Sequence, residues 1–349
     1  MSDKLRELYN QHDLPIFQNR MYESEQAGRT CPKGQMRLVE DLHSGLIRNA
    51  AFDIALMDYD AAKQNEQGNS PRFAAHMADV ANLVLQTIGQ DGLIEVGCGK
   101  GLFLDYLWER GAKATGFDPT YEGDSPLVQK VYFSRELNIK GRGLILRHVL
   151  EHVEDPVGFL FELAAANGNQ GLIYIEVPCF DWILQNKAWF DIFYEHVNYF
   201  RLDDFKRIFG RLMHADRAFG GQYLRIIGNL STLRRPAFDM AHGVEFPADF
   251  LHSITQVTEG PPPAAVWGGA SKGVIFSLYL QRAGCPVERI IDINPAKQGH
   301  NLPGTGLRVL SPEEGLAGLP EGSISQVMNP NYLDEIRQTS PSHLQYKVL

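Results

Sequence analysis

Residues 93–103 read Leu-Ile-Glu-Val-Gly-Cys-Gly-Lys-Gly-Leu-Phe, and this stretch decides the fold. A short apolar run enters a turn with glycine at three alternate positions, and a second apolar run leaves it. Strand-like and helix-like runs then alternate along the chain, which is typical of a mostly parallel sheet covered by helices on both faces. We therefore predict an α/β fold whose first unit is a Rossmann-like domain built around this turn.

The spacing of the three glycines, Gly97, Gly99 and Gly101, indicates which ligand the turn holds. Because glycine has no side chain, a ligand can lie directly against the backbone. Dinucleotide sites use GxGxxG, whereas this turn is GxGxG with Glu95 two residues before it. That form is usual for S-adenosylmethionine, whose methionine end carries an ammonium group and no phosphate. We predict this cofactor, with Glu95 shaping the turn; the alternative is a merely tight strand–helix connection.

Three residues at later strand ends complete the predicted cofactor site. Asp118 ends the apolar run at residues 114–117 and follows Gly97 by about 20 residues, the length of one βαβ unit. A carboxylate there accepts hydrogen bonds from both hydroxyls of a ribose. Arg147 and His148 end the next strand-like run, where ligands of open α/β sheets lie, so we predict that one of them borders the adenine.

The chain divides into three predicted parts. Residues 1–69 show no clear period and form an N-terminal lobe. A proline-rich break at residues 260–263 separates a cofactor domain, residues 70–258, from a C-terminal Rossmann-like domain, residues 264–349. The cofactor domain begins with a helix capped by Ser70. Strands are predicted at residues 93–96, 114–117, 131–133, 144–146, 172–177, 264–267 and 290–293, and helices at residues 103–110, 157–166 and 274–283.

A second glycine-rich turn opens the C-terminal domain. It reads WGGASKG (residues 267–273), follows an apolar run, precedes a helix pattern, and is followed by Asp292 at the next strand end. Free N–H groups at a helix N-terminus suit a phosphate, and Lys272 adds a positive charge. Because the spacing is close to GxGxxG, the turn also admits an NAD site as an alternative.

A candidate chemical site lies in residues 189–200, which are dense in aromatic residues and contain Tyr194, Glu195 and His196 in a row. A histidine with a pKa near neutrality can remove or relay a proton, as is required when a methyl acceptor must first lose one. The alternative is a packed aromatic segment with a histidine satisfied in the core. His152 is interpreted as a local hydrogen-bonding residue, and the spacing of the histidines predicts no metal site.

Composition excludes several classes of protein. The 349 residues carry a formal net charge of −9, which argues against a general nucleic-acid binder. The sequence has neither an apolar run long enough to cross a bilayer nor a signal-peptide pattern. Its four scattered cysteines make no CxxC pair and do not suggest a disulfide framework. We expect a cytoplasmic protein that acts on a small molecule away from membranes; the oligomeric state stays open.

Seven motifs spread over most of the chain carry a resemblance to a known family. They are EVGCGKG (95–101), HVLEHVEDP (148–156), IEVP (175–178), FYEHVNYF (193–200), WGGASKG (267–273), IDINPAKQGHNLPGT (291–305) and NPNYLDEI (329–336). Together they resemble the sugar C-methyltransferases that act on nucleotide-linked 4-keto-deoxy sugars. This resemblance implies a small zinc-binding N-terminal lobe, a central S-adenosylmethionine-dependent domain and a C-terminal Rossmann-like domain that helps to hold the sugar nucleotide.

The same resemblance implies roles for residues of the second turn. It suggests no redox cofactor there, and it makes Gly268, Ser271, Lys272 and Asp292 candidates for binding the nucleotide diphosphate of the substrate.

The resemblance also places Tyr194, Glu195 and His196 at the chemical centre. His196 is then the base or relay that removes a proton next to the ketone, and the enolate carbon attacks the sulfonium methyl. Glu195 orients His196 or binds substrate hydroxyls.

Three departures separate this chain from the family. Asp41 and Ser44 stand where the second zinc-binding CxxC pair is expected, so we predict no zinc. Phe193 and Tyr194 replace a tyrosine and a histidine, and Lys63 replaces a further tyrosine. We expect a methyltransferase acting on a nucleotide-linked sugar or a related carbohydrate intermediate, at carbon, oxygen or nitrogen. The alternatives are an NAD-dependent oxidoreductase and a catalytically inactive homologue that binds the cofactor.

Overall fold

The computed structural model describes residues 4–57 and 70–349, and within these ranges it contains sixteen strands and ten α-helices. The strands are β1 (Leu5–Pro15), β2 (Lys33–Asp41), β3 (Ile47–Asn49), β4 (Leu93–Val96), β5 (Ala114–Phe117), β6 (Val128–Gln129), β7 (Gly143–Arg147), β8 (Leu172–Pro178), β9 (Asn198–Tyr199), β10 (Leu212–Ala218), β11 (Tyr223–Asn229), β12 (Ala265–Trp267), β13 (Ile290–Ile291), β14 (Val309–Leu310), β15 (Ile324–Val327) and β16 (Gln345–Lys347). The helices are α1 (Glu25–Arg29), α2 (Pro71–Thr87), α3 (Leu102–Glu109), α4 (Pro156–Ala166), α5 (Phe180–Gln185), α6 (Leu202–Ile208), α7 (His252–Glu259), α8 (Ser271–Arg282), α9 (Pro312–Leu316) and α10 (Leu333–Thr339).

An antiparallel sheet of four strands, in the order β1-β2-β3-β9, contains most of the N-terminal region. Its fourth strand comes from far along the chain, since Ile47 of β3 pairs with Tyr199 of β9. No strand was predicted in this region. Two register shifts interrupt the pairing of β1 with β2, and such irregularities break the period of two by which a strand is recognised.

The turn between β2 and β3 is stabilised by the two polar residues that stand at the expected zinc-ligand positions. The Asp41 carboxylate accepts the N–H of His43 at 2.8 Å, and the Ser44 hydroxyl accepts the N–H of Leu46 at 3.2 Å. These side chains therefore hold the turn through their own hydrogen bonds. Lys63, the third departure from the family pattern, lies outside the described residues.

The central sheet has seven strands in the order β10-β11-β8-β7-β4-β5-β6. Strands β4 to β8 run parallel, and β11 is antiparallel to both of its neighbours. β4 lies in the interior of the sheet, so the glycine-rich turn that follows it is flanked by the carboxyl ends of β5 and β7. The predicted start of α2 is confirmed, because the Ser70 hydroxyl accepts the N–H of Phe73 at 3.3 Å.

One strand of this sheet was predicted at the wrong place. The chain pairs with β5 at Val128–Gln129, whereas residues 131–133 lie outside the sheet. The Tyr132 side chain is 76% exposed and Val131 is 42% exposed. An apolar run predicts a strand only if the sheet covers it, and here the chain has already left the edge.

The C-terminal sheet has five parallel strands in the order β14-β13-β12-β15-β16. The predicted second Rossmann-like unit is therefore confirmed. Its helix α8 begins at Ser271 rather than at residue 274, and β13 ends at Ile291 rather than at residue 293. The last three residues of the second turn, 271–273, already belong to the helix. Asp292 lies in the loop that follows β13.

The N-terminal, central and C-terminal regions share one apolar core. The Trp189 ring stacks on Phe276 with centroids 5.7 Å apart and lies 5.1 Å from Tyr279, so the segment before β9 packs on α8. The Tyr279 hydroxyl is hydrogen-bonded to the hydroxyl of Tyr9 in β1. Since these side chains belong to one buried cluster, the three regions pack as a unit. Among the described helices, none combines the length and the apolar character needed to cross a bilayer.

Candidate functional site

The glycine-rich turn adopts a backbone that only glycine readily supplies. Gly97, Gly99 and Gly101 have φ angles of 72°, 53° and 78°. A Cβ on Gly97 would lie 2.5 Å from a methyl carbon of Val149, so this glycine permits close contact with the segment after β7. A Cβ on Gly99 would meet no atom of the described chain within 4 Å. The turn is thus packed on one side and open above Gly99, as a ligand cradle requires.

Asp118 ties the turn to the neighbouring strand end. One carboxylate oxygen accepts the N–H of Gly99 at 2.8 Å, and the other accepts the N–H and the hydroxyl of Thr120 at 2.9 and 2.8 Å. The carboxylate therefore fixes the shape of the glycine turn. Its predicted bonds to ribose hydroxyls stay a prediction.

Glu95 is buried in β4 beside the turn. Burial, with the nearby charges of Asp118 and Asp105, raises the pKa of this carboxyl to about 8, and Arg147 opposes the shift. One of its oxygens is buried and accepts no hydrogen bond from the described residues. Because a buried acceptor without a donor is unfavourable, a cationic partner at this position is stabilising. The ammonium of S-adenosylmethionine would favour the ionised form of this carboxyl and so offset the effect of burial, and the residues of the turn fit this cofactor.

The open space above Gly99 leads to a testable expectation. In a Gly99→Ala variant the added methyl group occupies the cradle, and we expect the affinity for S-adenosylhomocysteine to fall at least about tenfold by calorimetry. Gly111→Ala is the matched control, because Gly111 has a φ of 78° and equally open surroundings in the loop between α3 and β5. Both variants carry a similar backbone strain, of roughly 1 kcal/mol. Equal affinities in the two variants would place the cofactor elsewhere.

The raised pKa of Glu95 gives an expectation for stability. The folded state holds a proton on Glu95 up to about pH 8, whereas the unfolded chain releases it near 4.5, so this group lowers stability as pH rises between these values. A Glu95→Gln variant lacks this loss. We expect its melting temperature to exceed that of the wild type by an amount that grows up to about pH 8, while its cofactor affinity falls. A pH-independent difference in melting temperature contradicts the assignment.

A buried ion network lies behind the cofactor turn, and its centre, Glu176 of β8, was not singled out from the sequence. One Glu176 oxygen lies 3.0 Å from Arg147 and 3.1 Å from His148. The other accepts the Tyr174 hydroxyl at 2.7 Å and lies 3.1 Å from His76 of α2. Burial opposes the ionisation of Glu176, but its cationic neighbours outweigh it and hold the pKa of the carboxyl well below its usual range. The network joins α2, β7 and β8.

Arg147 and His148 are therefore in ion pairs. The Arg147 guanidinium also lies 4.4 Å above the Phe103 ring. His148 has a φ of 52° and lies 3.4 Å from Glu151; burial opposes its charged form, but Glu151 and Glu176 raise its pKa to about 9. His148 is thus a cation at neutral pH. A place for either residue beside the adenine stays a prediction.

The segment 193–197 is anchored to the N-terminal region. The Tyr194 side chain is fully buried, and its hydroxyl accepts the N–H of Asp53 at 2.9 Å. The Glu195 carboxylate accepts the N–H of Gln18 at 2.9 Å. Both side chains hold the loop that carries His196, while the His196 ring lies against Phe193 with centroids 4.1 Å apart.

His152 lies beside His196, which the sequence did not predict. The two rings are edge to face with centroids 5.1 Å apart, and His152 Nδ1 lies 2.7 Å from the backbone oxygen of Glu195. The N–H of Val197 donates to the oxygen of Glu151 at 2.8 Å, which pins the loop to the turn after β7. Forty-odd residues separate the two histidines, so only the fold shows that they meet.

The residues predicted for the second turn take part in contacts within the protein. A Cβ on Gly273 would lie 1.8 Å from the oxygen of Gly268, so α8 packs directly on its strand. Ser271 is hydrogen-bonded to Asn19 at 3.1 Å. Lys272 forms an ion pair with Asp191 at 3.0 Å and donates to Gln222 at 2.9 Å. Asp292 pairs with Lys297 at 3.3 Å and accepts the N–H of Asn294 at 2.8 Å.

Comparison with known proteins agrees with the geometry of the first turn. Residues 77–212 match a family model described as a methyltransferase domain. The central part of the chain is a methyltransferase domain. The match includes the glycine-rich turn and the predicted cofactor residues, so the cofactor of this methyltransferase is S-adenosylmethionine.

One curated relative and two solved structures are similar to the methyltransferase. The C-methyltransferase NovU of Streptomyces niveus is 24% identical over 311 residues, which cover 75% of this chain and 72% of that protein. A SAM-dependent methyltransferase of Archaeoglobus fulgidus is 20% identical, with 46% of this chain and 95% of that chain covered and a TM-score of 0.34. Magnesium protoporphyrin IX methyltransferase of Synechocystis PCC 6803, with bound SAM, is 15% identical, with 48% and 86% covered and a TM-score of 0.35.

Proposed function

We propose that this methyltransferase transfers the methyl group to a nucleotide-linked sugar or a related carbohydrate intermediate, at the carbon next to a ketone, with His196 as the base. The observation that carries the proposal is the position of His196. Val149 contacts Gly97 of the cofactor turn, and the residues directly after Val149 hold the His196 loop through the bonds of His152 and Val197. The segment from Val149 to His152 therefore connects the glycine-rich turn with the loop that carries His196. The name of the relative, a C-methyltransferase, is consistent with this chemistry.

The chain's own residues supply the proton transfer. S-adenosylmethionine, when bound, supplies an electrophilic methyl group on a sulfonium sulfur. His196 takes the proton from the substrate carbon, and the electron pair of that C–H bond moves into the enolate. If Glu95, the glycine-rich turn and Asp118 hold S-adenosylmethionine, it would supply this methyl group to the enolate carbon, and the electron pair of the C–S bond would stay on sulfur. Glu195 orients the loop through Gln18, and the proton leaves on the His196 imidazolium.

The C-terminal domain is the proposed holder of the nucleotide. α8 is a twelve-residue helix that begins within the second turn, at Ser271, and backbone N–H groups at such an N-terminus suit a phosphate. Gly268, Ser271, Lys272 and Asp292 lie at this end. Lys272 pairs with Asp191 of the central region, seven positions before β9. A diphosphate that binds Lys272 would therefore share its ammonium with Asp191.

Calorimetric titration with S-adenosylhomocysteine, with NAD as the comparison, is the first test. We expect one-to-one binding of the former alone. Keto-sugar nucleotides are then screened as acceptors, and the position of the new methyl group is determined by NMR. Binding of NAD alone moves the active centre to the second turn. Transfer to a hydroxyl or amine overturns the proposed C-methylation, and the absence of turnover with every acceptor favours an inactive homologue.

A further inference from the structure

We propose that Glu151, His152 and His196 form a binding site for a divalent transition-metal ion of the Zn²⁺ class, and that the bound ion silences the base. One ligand atom of each residue lies within 4.8 Å of the other two. Two imidazoles and one carboxylate suit Zn²⁺ and its neighbours, whereas Mg²⁺ and Ca²⁺ prefer oxygen ligands alone. The site is distant in sequence from Asp41 and Ser44, where the family resemblance would place zinc.

The two segments that carry the ligands are held together by hydrogen bonds. Val197 donates to the oxygen of Glu151, and the Asn198 side chain donates to the backbone oxygens of Leu150 and Val153. The short 3-10 helix Leu150–His152 and the His196 loop are therefore fixed relative to each other before any ion arrives. Such preorganisation lowers the free-energy penalty of assembling a metal site.

The hydrogen bond of His152 leaves the correct nitrogen for a metal. A backbone oxygen can only accept, so Nδ1 of His152 donates to Glu195, and Nε2 is the ring nitrogen that would bind an ion. A histidine that donates one N–H to a backbone oxygen while its other nitrogen binds the ion is the usual arrangement in metal proteins.

The Glu151 carboxylate provides an independent indication of a cation. The side chain is 1% exposed, and neither oxygen accepts a hydrogen bond from the described residues. His148 lies 3.4 Å away and balances part of its charge. A buried carboxylate without donors is unfavourable, and a metal ion satisfies it directly.

Binding requires only a small closure of the side chains. Bonds of about 2.0–2.2 Å in a tetrahedral site place ligand atoms about 3.3–3.5 Å apart. Donors separated by up to 4.8 Å therefore approach by roughly 1 Å, within the reach of side-chain rotation. The remaining coordination position is left for water. Since the ion and the substrate proton need the same lone pair of His196, occupancy by metal excludes base action; this second half of the inference rests on the proposed function.

The binding half is tested without turnover. The full chain, treated with chelator and then dialysed, is titrated with Zn²⁺ in competition with a chromophoric chelator near neutral pH. We expect one ion per chain, bound in the micromolar range or tighter. His152→Ala and the isosteric Glu151→Gln should each weaken binding at least about tenfold, whereas His43→Ala, which removes an exposed histidine of the β2–β3 turn, should not change it.

Co²⁺ provides a second readout, the coordination geometry of the bound ion in the wild type, and far-UV circular dichroism of each variant shows whether it is folded. We expect visible absorption bands of four-coordinate Co²⁺ in the wild type and in His43→Ala, and their loss in Glu151→Gln and His152→Ala. Equal Zn²⁺ affinity in all variants, or no binding below about 100 μM, overturns the site. If Zn²⁺ binds as expected but leaves the turnover of the wild type unchanged, the silencing is wrong and the metal site stands. Restored turnover after chelation supports both halves.

Discussion

Replacing His196 by alanine is expected to lower methyl transfer by about 10²–10⁴-fold, the usual contribution of a general base. The loss follows because His196 is the proposed base and because the Glu195 carboxylate beside it already accepts the N–H of Gln18. Single-turnover measurements with excess enzyme separate this loss from slow product release.

The affinity for S-adenosylhomocysteine is the control for this variant. Since His196 is not among the residues predicted to bind the cofactor, the dissociation constant should stay within a few fold of the wild type. His252→Ala, which changes an exposed histidine at the start of α7, should leave turnover unchanged. Full turnover in His196→Ala would remove this residue from the mechanism.

Replacing Glu176 by alanine is expected to lower the free energy of unfolding by about 3–5 kcal/mol, measured by urea denaturation. The reason is the set of positive charges that this carboxylate balances, since Arg147 and His148 stay partly buried and lose their common partner. Removing one partner of a buried ion pair costs more than the pair itself contributes.

Two further variants calibrate the Glu176 result. Tyr174→Phe removes a single hydrogen bond of 2.7 Å to the same carboxylate and should cost about 1–3 kcal/mol. Glu162→Ala on the exposed face of α4 should change stability by less than about 0.5 kcal/mol. If Glu176→Ala lowers the free energy of unfolding as little as Glu162→Ala does, Glu176 does not balance the charges of its neighbours.

Local patterns were sufficient to predict the backbone of the glycine-rich turn and most of the central strands. Gly97, Gly99 and Gly101 signal a backbone shape by themselves, and β5 was predicted with its observed bounds because its apolar residues are covered on both faces. The prediction of a strand at residues 131–133 was wrong, because an apolar run looks the same in the sequence whether or not a sheet covers it. Capping by Ser70 needs only three neighbouring residues and was also predictable.

The chemistry around these elements depends on residues that are far apart in sequence. In the sequence, Glu176 is a single acidic residue within a predicted buried strand. Only the positions of α2 and β7 show that His76, Arg147 and His148 converge on its carboxylate. Nothing in the sequence around His152 indicates that its ring lies beside that of His196. A single sequence carries the identity of these side chains but not the distances between them.

The pairing of β3 with β9 has a consequence for the order of folding. β3 and β9 are separated in sequence by most of the central domain, and they must pair before the loop ahead of β9 is held in place. Such non-local contacts form slowly. On the ribosome the first three strands emerge long before their fourth partner. The nascent chain can therefore close the nucleus of its cofactor-binding sheet while the reaction centre is still unassembled, so we expect early co-translational intermediates to bind the cofactor before they acquire any reactivity.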